Sequence, residues 1–228
     1  MKSSRRLLCA LVVAGPLFTL TAPSAADAAT CAYNAGTHTV AISMPDSSLN
    51  LVRLQRSGTT IRTAESTCSG GPTVNNTDAI TITDTSPGQN APNLVFIDVG
   101  SGPFAPGFSD ANDTSSEPEI EITVDLKGGN DTLTLLGADT ADRFGFASFA
   151  GDFANLNVGE TGDDDADVSF DGVEDVQVDA KGGHDEIDGG AGSVLDLDRP
   201  LLLFGESGND KVTGGGLDDD LRGGAGND

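Results

Sequence analysis

The chain has 228 residues, enough for one or two domains, and carries 36 acidic residues against 12 Lys plus Arg, a formal charge of −24. That charge argues against nucleic acid and against insertion into or binding to anionic membranes, and it favours cations as partners. With no Trp, one Tyr, 5% aromatic residues and 30 glycines, the composition fits a thin, repetitive β architecture better than a thick globular core.

Residues 1–28 read as a secretory signal peptide. Lys2, Arg5 and Arg6 form a basic head, Leu7 to Leu20 is an apolar run of 14, and Ala26-Asp27-Ala28 is a small-x-small cleavage pattern. The Arg5-Arg6 pair also fits twin-arginine export; ordinary secretion is favoured, since repeats that need calcium would stay unfolded in the cytosol. An extracellular mature chain keeps two cysteines, Cys31 and Cys68, and an even pair in an exported chain reads as a disulfide, with two free buried thiols as the alternative.

Residues 29–117 are expected to form an irregular β region, with short β-branched segments at 39–44, 49–53, 79–83 and 94–99 bounded by Pro, Gly, Asn or Ser. Arg53, Arg56 and Arg62 balance the acidic half. A Gly/Pro-rich turn at 100–107 and the polar stretch to Pro118 mark the boundary. From 118 onward strands are expected at 121–126, 144–149, 156–158, 167–170 and 173–178, with a solvated acidic run at Asp163-Asp164-Asp165.

Two short segments in this half echo each other. Lys127-Gly128-Gly129-Asn130-Asp131 leads to Leu133, and Lys181-Gly182-Gly183-His184-Asp185 leads to Ile187. Asp131 and Asp185 are 54 residues apart, equal to three coils of 18 or two of 27. A related unit opens at Gly189, but Val194 stands where the acid belongs, so no ion is expected there.

The pattern is fullest at the end. From Gly205 to Asp228 a nine-residue unit recurs, with glycines first, an acid sixth (Asp210, Asp219, Asp228) and an apolar residue eighth (Val212, Leu221). Glycines turn where other residues strain, leaving carbonyls uncovered, and a carboxylate at fixed offset adds charge to that ring of oxygens. An all-oxygen set suits Ca²⁺ rather than zinc. A flexible Gly/Asp-rich tail would not keep Val212 and Leu221 in phase with the acids.

This unit resembles the RTX, or hemolysin-type, calcium-binding nonapeptide repeat. The cysteine-bounded start ahead of the repeats also looks like secreted bacterial calcium-binding proteins. The resemblance implies an all-β chain whose C-terminal half, 118–228, is a right-handed parallel β-roll or β-solenoid, with the apolar eighths Leu133, Ile187, Val212 and Leu221 inward. It implies a Ca²⁺ site between turn 205–210 (Gly205 and Ser207 carbonyls, Asp210 carboxylate) and turn 223–228 (Gly224 and Gly226 carbonyls, Asp228 carboxylate). Asp219, Asp131 and Asp185 are further metal ligands on the same pattern, although Leu217 replaces the fourth glycine before Asp219. The chain stops in mid-repeat, so the roll is expected to be truncated at its end.

The sequence gives little support for catalysis. His-Glu-x-x-His, Gly-x-Ser-x-Gly and a phosphate loop are all missing; of the two histidines, His38 lies near the mature N-terminus and His184 takes the variable fifth position of a repeat, which reads as ordinary polar surface. The expected role is structural, at a cell surface or on a matrix polymer. The rival is a calcium-dependent extracellular enzyme or toxin, polysaccharide lyase-like or protease, whose catalytic part is degenerate or lies beyond residue 228.

Overall fold

The computed structural model describes residues 29–45, 49–87, 90–109, 119–148, 152–155, 167–190 and 199–228. The leader 1–28, the boundary residues 110–118, the strand expected at 156–158, the acidic run 163–165 and the unit at Val194 lie outside the described residues.

Among the described residues the protein is all-β. The strands are β1 (Thr30–Asn34), β2 (Thr39–Met44), β3 (Asn50–Ser57), β4 (Thr60–Thr63), β5 (Ala79–Asp84), β6 (Asn93–Asp98), β7 (Glu121–Asp125), β8 (Thr132–Leu136), β9 (Arg143–Ser148), β10 (Asp152–Asn155), β11 (Val168–Asp171), β12 (Asp175–Asp179), β13 (Gly182–Gly183), β14 (Glu186–Asp188), β15 (Leu201–Gly208), β16 (Lys211–Thr213) and β17 (Asp220–Ala225). One sheet runs β1-β2-β5-β7-β11-β10-β9-β14-β16. The other runs β13-β15-β12-β8-β6-β3-β4, with β17 on β15.

Alternation of burial along each strand explains why these segments pair as they do. A period of two puts every second residue on one face, and a one-residue slip would expose the whole set. In the first sheet Val40, Ile80, Ile122 and Val168 stand in one inward column, and Ile42, Ile82, Val124 and Phe170 in the next. In the second sheet Val52, Val95, Leu133, Val176 and Leu201 align, as do Leu54, Ile97, Leu135, Val178 and Leu203. Burying each such side chain contributes about 1.5–3 kcal/mol before ordering entropy is subtracted. Both sets of columns include strands from either side of the boundary: β2 with β5 and β3 with β6 pair in parallel, as β5 with β7 and β6 with β8 do.

The strands are mixed rather than purely parallel. β1 and β2, β3 and β4, β9 and β10, and β10 and β11 pair antiparallel. The last two pairings interrupt the parallel order expected from residue 118. β9 lies away from β7, and β10 and β11 fold back to fill the gap between them. Cys31 and Cys68 form a disulfide, with Cα atoms 4.6 Å apart, that ties the edge strand β1 to the segment after β4.

Candidate metal centre

Turns 137–142, 180–185 and 205–210 carry the chain from the second sheet to the first, and residues 223–228, at the end of β17, stack with them along one edge. Gly182 and Gly183 pair with Ser207 and Gly208, and Glu206 and Ser207 pair with Gly224 and Ala225. The last three of these turns share a backbone signature at the second residue. Lys181 (φ 67°), Glu206 (φ 70°) and Gly224 (φ 107°) are all left-handed, so glycine's conformation is retained where the side chain has changed.

The sixth residues form a ladder. The Asp142 N–H donates to Asp185 Oδ1 (2.8 Å), the Asp185 N–H to Asp210 Oδ1 (2.9 Å), and the Asp210 N–H to Asp228 Oδ1 (3.0 Å). The partners are 43, 25 and 18 residues apart in sequence. Asp142, Asp185 and Asp210 are nearly inaccessible, at 1%, 2% and 4% exposure. One carboxylate oxygen on each, Asp142 Oδ1, Asp185 Oδ2 and Asp210 Oδ2, is buried without a hydrogen-bond partner. Leaving such an atom unsatisfied costs about 1–3 kcal/mol or more, and it calls for an explanation.

The backbone of successive turns packs closely here. A Cβ on Gly205 would lie 2.6 Å from the Gly223 carbonyl oxygen and 2.7 Å from Asp210 Oδ2. One on Gly208 would lie 1.8 Å from the Gly183 oxygen, and one on Gly226 1.4 Å from the Gly208 oxygen. The donor set is carbonyls plus at most two carboxylates per step, which is the chemistry of a hard cation. Among the described residues no three His, Cys, Asp or Glu side chains converge as a metal cluster, so carbonyls have to supply the rest of any set. The residues present therefore fit Ca²⁺. Asp210 and Asp228 with the carbonyls of Gly205, Ser207, Gly224 and Gly226 would hold one ion, and Asp185 faces the neighbouring step.

Close approach gives a direct test. Gly208→Ala is expected to destabilise the protein well beyond Gly71→Ala, because Gly71 is also left-handed (φ 69°) but has open space where its Cβ would sit. The Gly71 change carries only the backbone cost of about 1–2 kcal/mol. Urea unfolding of the two variants checks this, and equal midpoints would contradict the packing described.

Electrostatics at the ladder follow from burial. The Asp185 carboxyl is pushed up to about 6, chiefly by burial, with the Asp142 N–H and His184 opposing and the Asp142 and Asp210 charges adding to the rise. Burial likewise raises Asp142, against the Ala138 N–H and the Lys181 charge. A carboxyl whose folded value exceeds its unfolded one keeps a proton that the unfolded chain has lost. Stability is then greatest below the unfolded value and falls as pH rises from about 4 to about 6. Protein stripped of metal should thus resist urea better at pH 4.5 than at pH 7.5, by up to about 1.4 kcal/mol per pH unit per group. A midpoint that does not move over this range would count against the buried ladder. Asp98 behaves oppositely: burial raises it, but bonds from Arg53 and the Gly100 N–H, with the Lys181 charge, hold it below the usual carboxylate range, so its contribution is lost only under more acid conditions.

The opposite edge carries a different set. Asn50 Nδ2 donates to Asn93 Oδ1 (2.7 Å), the Asn93 N–H and Nδ2 donate to Asp131 Oδ1 (2.7 and 2.9 Å), and the Asp131 N–H donates to Glu174 Oε2 (2.7 Å). Asp131 is fully buried and its Oδ2 has no partner, but it sits across the sheets from Asp185. The 54-residue spacing therefore does not make the two equivalent. Asp219 lies on Asp131's edge as well. Its two oxygens accept the Leu201 N–H (2.8 Å) and the Gly215 N–H (2.6 Å), so backbone amides already use both.

Two sequence expectations need correction or addition. Leu221 is 44% exposed rather than inward, because β17 is the outer strand beside β15 and the facing sheet ends at β16. Leu133 and Ile187 are fully buried, and Val212 packs partly against the core. Asp142 was not singled out from sequence, since its turn, Gly137-Ala138-Asp139-Thr140-Ala141-Asp142, keeps one glycine only. The surviving signal was the first-position glycine with the acid sixth and an apolar eighth, Phe144, which is buried.

No protein-family model, no curated protein and no solved structure matches this chain.

Proposed function

We propose that this chain is a secreted, non-catalytic calcium-binding protein of the RTX type, its two sheets wound as a right-handed parallel β-roll that the antiparallel β9-β10-β11 insertion interrupts. One observation carries the reading: successive buried aspartates in glycine-lined turns, each with an oxygen that no group of the protein satisfies. A bound Ca²⁺ would supply positive charge between stacked carboxylates and a partner for those oxygens. Asp185, Asp210 and Asp228 are the principal carboxylate ligands, with Asp131 contributing on the other edge.

Export is supported by the disulfide, which persists in oxidising surroundings, and by the leader-like sequence of residues 1–28. Among the described residues no helix is long and apolar enough to cross a membrane. The role that fits is a calcium-dependent scaffold or adhesive element at a cell surface or matrix polymer. Titrating CaCl₂ into metal-stripped protein, followed by circular dichroism and calorimetry, tests the reading. Absence of both heat and structural change at millimolar calcium overturns it.

A further inference from the structure

The ladder of aspartates does not continue unchanged to its first step. Behind turn 137–142 stands Asp98, at the end of β6, and here the protein provides its own cations. Arg53 Nε and Nη2 donate to Asp98 Oδ2 (3.0 and 2.6 Å). Lys181 reaches back from its own turn, and its Nζ donates to the Gly137 carbonyl (2.6 Å) and lies 3.5 Å from Asp98 Oδ1. Gly137 opens its turn as Gly205 opens the later one, so a carbonyl equivalent to a proposed calcium ligand is here already bonded to an ammonium. Lys181 holds this position from a left-handed backbone, φ 67°, in the place where Glu206 and Gly224 stand in the following turns. The cations in the later described turns are engaged elsewhere. Lys211 pairs with Glu186 on the sheet face, and Arg222 pairs with Asp220.

We infer that Lys181 is a resident cation standing in for a bound one between Asp98 and the Gly137 carbonyl, at the head of the ladder, so that strands up to β12 hold together without divalent ions while the turns beyond it require them. The inference rests on the calcium reading above. A fixed ammonium is supplied within the chain at no cost in free-ion concentration, whereas the step joining Asp210 and Asp228 depends on calcium in the medium. The disulfide and the Asn50–Asn93 pair, which is amide rather than acid, reinforce the same end.

Hydrogen exchange read by mass spectrometry on the full chain, in CaCl₂ and in EDTA, tests this. In the unaltered protein, EDTA should strip protection from residues 211–228 and leave β8 and β12 protected. Lys181→Met, and Lys181→Gly, which removes the ammonium and also the left-handed side chain, should make β8 and β12 lose at least tenfold protection in EDTA and recover it in CaCl₂. Lys181→Arg should behave as the unaltered chain. EDTA without effect on 211–228 in the unaltered protein would sink the calcium reading itself. Loss at 211–228 together with β8 and β12 in the unaltered protein overturns the inference alone. So does protection of β8 and β12 in EDTA in both charge-free variants, or a loss in both that calcium does not restore, since Lys181 would then be idle or simply structural.

Discussion

Removing calcium is expected to unfold residues 205–228 while the apolar columns of the earlier strands persist. The final turns stack Asp210 directly on Asp228, within reach of one hydrogen bond. At the strand spacing of about 4.8 Å, two carboxylates repel by about 3 kcal/mol at an effective dielectric near 20. The apolar side of the account is thin there. Val212 is half-buried and Leu221 faces solvent, so neither contributes the full burial of a core residue. Repulsion therefore wins without an ion, and with one the sign reverses, making binding and folding a single event. Affinity should lie at about 10⁻⁴–10⁻³ M, the range of extracellular modules. Asp210→Ala should weaken binding at least tenfold, about 1.4 kcal/mol. Asp218→Ala removes the same charge from an exposed neighbour with far less effect. Calcium titrations by calorimetry and circular dichroism read both. A β signal indifferent to EDTA, or equal responses from the two variants, counts decisively against this account.

Loss of the disulfide should be the largest single covalent effect. Cys31 and Cys68 close a loop of 37 residues, which corresponds to about 4 kcal/mol in the chain-entropy model. Both cysteines are buried, and the bond secures β1, the edge of the nine-stranded sheet. Its neighbours are modest: the Ser69 N–H donates to the Cys31 carbonyl (3.0 Å) and the Tyr33 N–H to the Ser69 carbonyl (2.9 Å). For a chain of this size the midpoint of thermal unfolding should fall by roughly 8–16 °C in the Cys31→Ser, Cys68→Ser double variant, measured in saturating calcium. An unchanged midpoint would show that strand pairing alone fixes β1.

Much of this was written locally in the chain. Alternating apolar residues marked the strands at 39–44, 79–83 and 121–126, because burial on one face needs only a period of two. The nine-residue spacing of Asp210, Asp219 and Asp228 gave an 18-residue step, and turn 205–210 does stack on turn 223–228. The cysteine pair was readable from parity and the leader alone.

What the sequence left open was how distant turns meet. Stacked aspartates are separated by 43, 25 and 18 residues, so no single period finds them. Parallel strands align by matching apolar columns, and the connections between them absorb length cheaply, since loop-closure entropy grows only with the logarithm of loop size. That freedom recruited Asp142 from a turn with one glycine, carried Asp131 to the far edge despite its resemblance to Asp185, and admitted the antiparallel β9-β10-β11 insertion. It also brought Lys181 onto Gly137 and Asp98, a contact that depends on three turns being stacked and that no local pattern encodes. Local chemistry determined which turns carry glycines and acids; the three-dimensional stacking decided which turns face each other, and it left Leu221 exposed on β17, the outer strand beside β15, where among the described residues the facing sheet ends at β16.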